Sequence, residues 1–434
     1  MPLLSNFTGI PRLIRPLAVS VRVLCFMLCA TTASGQTWVG GGGNGNWTTA
    51  ANWNPAVPVN NGTADVFFDG SSQTNVVLNS GGFFNLFGIE RNVNSATFNP
   101  GAAAFSIDAA PAVFGTNTLR INGGGLTQSS ANLQTITAPL TLGAAQTWDI
   151  GAGGMDVTGV VSNPFFTNWT KTGTGRLTLS GNNTFDGPLL INAGSVRLRD
   201  DNAMGTSTFG NLVASGAALE LDNNISVAEG NITIRGTGIG GTGAIRNISG
   251  DNSLDAQTTL GADSRIVSDV DTLSLAGTLG GNFQLTVTGA GDTTATATIN
   301  QLGLVKRGSG TLTLSGNNAI NTTQQARFLE GLTLLSKNPA ANIFSGGVEI
   351  GGDGTAATAR LTADEQLNNF MTTRVLEQGI LDFNGFDEGL RNLEMRAGTV
   401  TTGGGTLDIL NAGDPRIETF ASPTSSTITG DLNL

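Results

Sequence analysis

From about residue 36 onward, short runs of the chain carry an apolar side chain at every second position. Arg176-Leu177-Thr178-Leu179-Ser180, Ser195-Val196-Arg197-Leu198, Ile232-Thr233-Ile234 and Thr272-Leu273-Ser274-Leu275 are examples. Successive side chains of an extended chain point to opposite faces, so Leu177 and Leu179 share one face and Arg176, Thr178 and Ser180 the other. The runs are about five residues long, and Thr and Val within them favour strands. Gly-Asn, Gly-Gly and Asn-Asn separate them, residues that accept the positive φ of tight turns. One segment departs from this pattern. Thr362-Ala363-Asp364-Glu365 has the form of a capping box, and Leu367, Phe370 and Met371 follow at helical spacing, which predicts one short helical or 3₁₀ turn in a corner loop. The pattern as a whole predicts an all-β sandwich, barrel or solenoid.

Internal repetition selects the solenoid. Lys171-Thr-Gly-Thr-Gly-Arg-Leu-Thr-Leu-Ser-Gly-Asn-Asn183 returns as Lys306-Arg-Gly-Ser-Gly-Thr-Leu-Thr-Leu-Ser-Gly-Asn-Asn318, with ten of thirteen positions identical at an offset of 135. A looser echo upstream, Leu142 onward against Leu260 onward, has an offset of 118. The repeat copies therefore lie near 142–198 and 260–335, and the disagreement between the two offsets predicts one inserted hairpin or coil near Asn282–Asn300. Solenoids tolerate insertion of whole rungs; closed sandwiches do not. Leu177, Leu179, Leu312 and Leu314 would point into the shaft, each worth about 1.5–3 kcal/mol when fully buried. Coils of about 22 residues would give roughly 18 coils, stacked about 4.8 Å apart. Asn182-Asn183 and Asn317-Asn318 fall where a strand turns, either as amide ladders along the stack or as residues that tolerate left-handed turns.

The first 35 residues read differently. Arg12, Arg15 and Arg22 precede the apolar run Val23–Ala30 and the small residues Thr31–Gly35, the layout of a secretory signal peptide rather than of a spanning helix, whose apolar run must be longer. Cys25 and Cys29, the two cysteines of the chain, lie inside this segment and follow Leu24 and Leu28, which do not suit a lipidation site. The processed chain would then hold no disulfide and no thiol nucleophile. It would also be more acidic than the 21 basic and 32 acidic residues of the whole, since three arginines leave with the signal. Such a balance argues against nucleic-acid binding.

Composition narrows the chemistry further. The chain has no His and no Tyr, which removes Ser-His-Asp and Cys-His catalysis, His-ligated zinc and a phenolic acid. Carboxylates remain. Asp200-Asp201, Asp364-Glu365 and Asp387-Glu388 are adjacent pairs, and Asp269 and Asp271 have the i, i+2 spacing that one outer face of a strand needs. Gly351-Gly352-Asp353-Gly354 faintly matches calcium-binding nonapeptide repeats without recurring in tandem. Gly236-x-Gly238-x-x-Gly241 matches a dinucleotide fingerprint, but no helix follows to hold a pyrophosphate. Trp38, Trp47, Trp53, Trp148 and Trp169 would serve either as a glycan-stacking platform or as aromatic bulk, with Trp38, Trp47 and Trp53 capping the open end of the stack. No catalytic, cofactor-binding or metal-ligating residue is assigned, and no cofactor.

Lys171 to Leu198, KTGTGRLTLSGNNTFDGPLLINAGSVRL, closely resembles the autotransporter-associated β-strand repeat of bacterial surface proteins. Thr184-Phe185-Asp186-Gly187 and Ile191-Asn192-Ala193-Gly194 complete the unit; the copy at Lys306 lacks the Thr-aromatic-x-Gly element after Asn318, which leaves its final strand unassigned. The stretch from Trp38 to Trp53, Ile136 to Val161, and Leu381-Asp382-Phe383-Asn384-Gly385-Phe386 are also similar to segments of the family. The resemblance implies a right-handed parallel β-helix, a β-solenoid with irregular Gly/Asn-rich corner loops, exported to the cell surface or secreted. The expected organisation is a signal peptide over 1–35, a Trp/Gly/Asn-rich cap and first coils over 36–100, and the solenoid over 101–434. The chain stops in another strand-like run, Thr427–Leu434, without the C-terminal barrel of autotransporters. A truncated passenger is the expectation, ahead of a freely secreted rod. The implied role is structural or adhesive, with a cell-surface or matrix polysaccharide as partner; the alternative is a β-helical polysaccharide hydrolase or lyase.

Overall fold

The computed structural model describes residues 35–81, 86–296, 298–316, 320–321, 325–337, 344–410 and 416–434. The expected signal peptide up to residue 34 and Asn317-Asn318 lie outside them. The chain winds into a parallel β-solenoid. Three strand ladders run along it, and nearly every pairing is parallel because each strand meets its counterpart one coil later. The first ladder starts at Gln36–Trp38 and steps through thirteen strands to Ile320–Asn321. The second steps through sixteen strands from Asn75–Leu78 to Arg416–Thr419. The third is continuous from Ser226–Val227 to Thr427–Asn433. Among the described residues no helix is long and apolar enough to cross a membrane.

Coil length changes along the shaft. Gln36, Val66, Ala96 and Leu126 stack in register, evenly and widely spaced along the chain. Beyond Leu126 the same column continues through Trp148, Lys171, Ile191 and Val213, which follow one another at shorter and less regular intervals. With such long coils at its start, the chain makes fewer of them than a uniform coil length predicts. The long coils enclose aromatic rings: Trp38, Trp47 and Trp53 meet edge to face at 5.1 and 4.7 Å, and Phe68 stacks on Phe98 at 4.7 Å. The shorter coils are lined by aliphatic columns such as Met155, Leu177, Val196, Leu219, Ile245 and Ile266. Leu177, Leu179, Leu312 and Leu314 are all buried, as the alternation predicts. The inserted segment is a full coil. Gln284–Gly289, Asp292–Ala295 and Ile299–Asn300 supply one strand to each ladder, between coils that pair with them above and below.

The two repeat copies share one corner device. Lys171 and Lys306 occupy inward positions, between Trp148 and Ile191 and between Val287 and Phe328. A charge there needs several hydrogen bonds, because both side chains are shielded from bulk solvent. The Lys171 ammonium shares its three hydrogens among the carbonyls of Thr172, Gly173, Gly175 and Ala193 at 2.6–3.0 Å. Lys306 donates to those of Arg307, Gly308 and Glu330 at 2.6–3.0 Å. The Lys-x-Gly-x-Gly sequence is therefore a carbonyl cage that its own lysine closes. Gly194 and Gly331 form the facing wall on the next coil, with φ of +64° and +73°; a Cβ on either would press on cage carbonyls and the ammonium. Burial lowers both ammonium groups to about 8, against the upward pull of Asp149 on Lys171 and of Glu330 and Asp292 on Lys306. The final strand of the second copy, unassigned in the sequence, is Gly331–Lys337, with Glu330-Gly331 in the place of Ala193-Gly194.

Two expectations change. The capping box at Thr362 forms no helix; residues 362–371 are an irregular corner. Glu365 has φ +54° and directs its carboxylate to Asn369 Nδ2 and the Gly389 amide instead of back to Thr362. Thr362 is itself used by the coil before, its amide and hydroxyl both donating to the Leu335 carbonyl. The asparagines at the first corner make neither amide ladders nor left-handed turns. Asn182 is exposed, while buried Asn183 accepts from the Val161 amide and donates to the Ala203 carbonyl, bridging backbone of the coils on either side.

Candidate functional site

Each carboxylate singled out in the sequence has a partner in the stack. Asp200 accepts from the Asn202 amide and Asp201 from the Ser226 amide. Asp269 pairs with Arg246 at 2.7 Å, and Asp271 accepts from the Gly250 amide. Asp353 binds Arg307 at 2.5 Å and the Thr355 hydroxyl at 2.6 Å, so its glycine-rich loop closes on the protein's own groups. Asp364-Glu365 and Asp387-Glu388 are brought together on adjacent coils: Asp364 accepts from the Asp387 amide, and Asp387 from the Thr406 amide. Glu388 is fully buried and accepts from the Gln366 and Leu367 amides through one oxygen. Burial pushes its carboxyl up to about 9; the two amides oppose that push and nearby Glu365 and Asp364 add to it. These acids staple corners; none of the pairs sits open on an outer strand face. No group of three or more metal-ligating side chains occurs among the described residues.

The tryptophans are core. All five are buried, which removes the stacking platform. Trp148 and Trp169 meet edge to face at 4.7 Å inside the shaft. Of the fingerprint glycines, Gly236 ends a strand, and Gly238 precedes and Gly241 ends a three-residue 3₁₀ turn, Ile239–Gly241, without the helix a pyrophosphate needs.

Contact chemistry lies on the outside, at residues the sequence patterns did not single out. Outward positions of the second ladder bring Arg327, Glu349, Arg374 and Glu394 into register on four successive coils. The pairs Arg327–Glu349 and Arg374–Glu394 close at 2.8 and 2.5 Å, and Arg396 pairs with Glu377 at 2.8 Å. Beside this column runs an open groove of about 530 Å³, to which Leu376, Arg396 and Phe420 also contribute. The signal was present in the chain as opposite charges about one coil apart, but it is legible only once the coil length is known. Elsewhere, exposed phenylalanines pair across coils: Phe166 and Phe209 at 4.6 Å, with Phe165 three-quarters exposed beside Phe166 in sequence, and Phe87 and Phe114 at 5.8 Å.

Residues 170–198 and 304–321 match the family model of the passenger-associated-transport-repeat. The chain is also 25% identical over 462 aligned positions to the adhesin BmaC autotransporter of Brucella suis biovar 1 (strain 1330). That alignment covers 92% of this chain, which spans 12% of the length of the curated relative. No solved structure matches the chain. The chain thus carries autotransporter passenger-type repeats, and the caged lysine lies within the first matched segment and again within the second.

Proposed function

We propose that this chain is an exported, cell-surface passenger segment with an adhesive role: a stiff solenoid that presents its outer faces for weak, multivalent contact with polysaccharide of another cell or of the surrounding matrix. The observation that carries this reading is the pair of passenger repeats built into a continuous solenoid, in a chain similar over most of its length to an autotransporter adhesin. Export would begin with cleavage after residue 35. Stacked coils share burial with their neighbours, so the shaft resists bending while its outward side chains vary freely. Contacts that are individually weak become strong when several engage at once. The role is contact rather than turnover, since the acid pairs are committed to holding corners.

The test couples residues 36–434 to beads and measures retention on host-cell monolayers and on matrix-coated surfaces. Retention above that of blank beads, competed by soluble chain, is expected. Beads retained no better than blanks on every surface would sink the adhesive reading. Release of reducing ends from a polysaccharide, abolished by neutralising one acid pair, would replace it with the enzymatic one.

A further inference from the structure

We propose that the groove between Arg327 and Phe420 binds a neutral, extended polysaccharide laid along the solenoid axis; the proposal rests on the adhesive reading and names its contact site. Register comes first. Arg327, Glu349, Arg374 and Glu394 occupy one outward position on four successive coils. Parallel coils repeat at about 4.8 Å, close to the length of one pyranose unit in an extended β-linked chain. Each sugar along such a chain would face one coil, meeting a guanidinium and a carboxylate in alternation. A guanidinium only donates and a carboxylate only accepts, whereas a sugar hydroxyl does both. An alternating column therefore suits a ligand whose every unit carries hydroxyls.

The guanidinium edges fit this use. Arg327 and Arg374 each meet their glutamate through Nε, and Arg374 places one further hydrogen on Gln325 Oε1 at 3.3 Å. With five N–H donors on each guanidinium, hydrogens remain for the groove. The arginine side chains are 40–44% exposed, while Glu349 and Glu394 are 14% and 21% exposed. Phe420, half exposed, lines the groove with Leu376 and offers a flat apolar face to the C–H side of a sugar ring.

Charge selects among ligands. Arg327, Arg374 and Arg396 are each balanced by a glutamate within 2.8 Å, on a chain of formal net charge −11. A polyanion gains no local excess of positive charge there and meets repulsion at longer range. A cation finds a guanidinium already beside each carboxylate. A neutral glycan pays neither cost, and its binding is insensitive to salt.

The test titrates residues 36–434 with cellohexaose, chitohexaose and a heparin hexasaccharide at low and high salt, by calorimetry. The variants are Arg374→Met and Phe420→Ala, both at exposed side chains, with thermal melts confirming that each keeps the parent fold. A neutral hexasaccharide should bind with little salt dependence, and each variant should weaken it about tenfold. The proposal is overturned if neither neutral hexasaccharide binds, if both variants bind like the parent, or if heparin alone binds and weakens steeply with salt. Parent beads that adhere to cells while no neutral hexasaccharide binds would remove the groove and leave the adhesive reading standing. Sugar binding without adhesion would do the reverse.

Discussion

The corners at Lys171 and Lys306 use nearly the same thirteen residues in different places. Lys171 ends a strand of the first ladder and hands the chain to the second, where Arg176–Leu179 pairs with Ser195–Leu198. Lys306 ends a strand of the second ladder and hands the chain to the third, where Leu312–Gly316 pairs with Gly331–Lys337. The copies therefore sit at neighbouring corners of the coil. What repeats is a corner with its flanking strands, and the caged ammonium works without regard to which face comes next. The cages also differ in wall: Ala193 closes the first, while Glu330 closes the second and adds a carboxylate bond to the Gly308 amide at 2.9 Å.

The largest effect should come from the strand beyond each cage. Leu179→Asp and Leu314→Asp place an unpaired charge at fully buried positions, and each should cost about 3–5 kcal/mol in urea unfolding. If either melts like the parent, its corner does not turn a strand into the core. Next, Gly194→Ala and Gly331→Ala should each cost about 2 kcal/mol, since both combine positive φ with a Cβ pressed on the cage. Gly194 should suffer more, because Lys171 Nζ lies closer to the added carbon than Lys306 Nζ does at Gly331. Lys171→Met and Lys306→Met keep the apolar stem and strand the carbonyls, at about 1–3 kcal/mol each. The first should cost more, because four carbonyls lose a donor rather than three; equal losses would show that the fourth carbonyl bond carries no weight.

The last effect, absent at low pH, concerns Glu388, a buried ionisable group with no such cage. Its carboxyl is raised to about 9 from an ordinary value of 4.5. Its contribution is complete below the unfolded value and is lost as pH rises from there through the folded one. Glu388→Gln keeps an acceptor for the Gln366 and Leu367 amides and removes that loss. The variant should match the parent near pH 4.5 and gain about 3 kcal/mol on it by pH 7, seen as diverging thermal melts. Parallel curves across that range would mean that Glu388 does not carry a proton into the fold.

The sequence disclosed the shaft and concealed its charges. Leu177, Leu179, Leu312 and Leu314 were legible as interior because alternation is local, and the inserted coil was legible because two offsets disagreed. Lys171 and Lys306 stand in the repeat as motif residues whose role the local pattern does not reveal. Alternation marks their positions as inward, but only the folded corner shows which carbonyls would receive an ammonium there. Glu365 misled for the opposite reason: its capping-box spacing is local, while its carboxylate is claimed by Gly389 a coil away. The column from Arg327 through Glu349 and Arg374 to Glu394 escaped because its members are unevenly spaced along the chain, and unequal coils hide a regular spacing in space.

The coil at Gln284–Asn300 also has a mechanical meaning. A whole coil added to the stack extends reach by one rung and leaves every surface above it facing the same way. A single added strand would swing the distal surface about the axis to the next face, as the shift between the two lysine corners records. Length and bearing can thus drift separately in such a chain, so a gripping surface can be moved farther out or turned toward a new neighbour without being rebuilt.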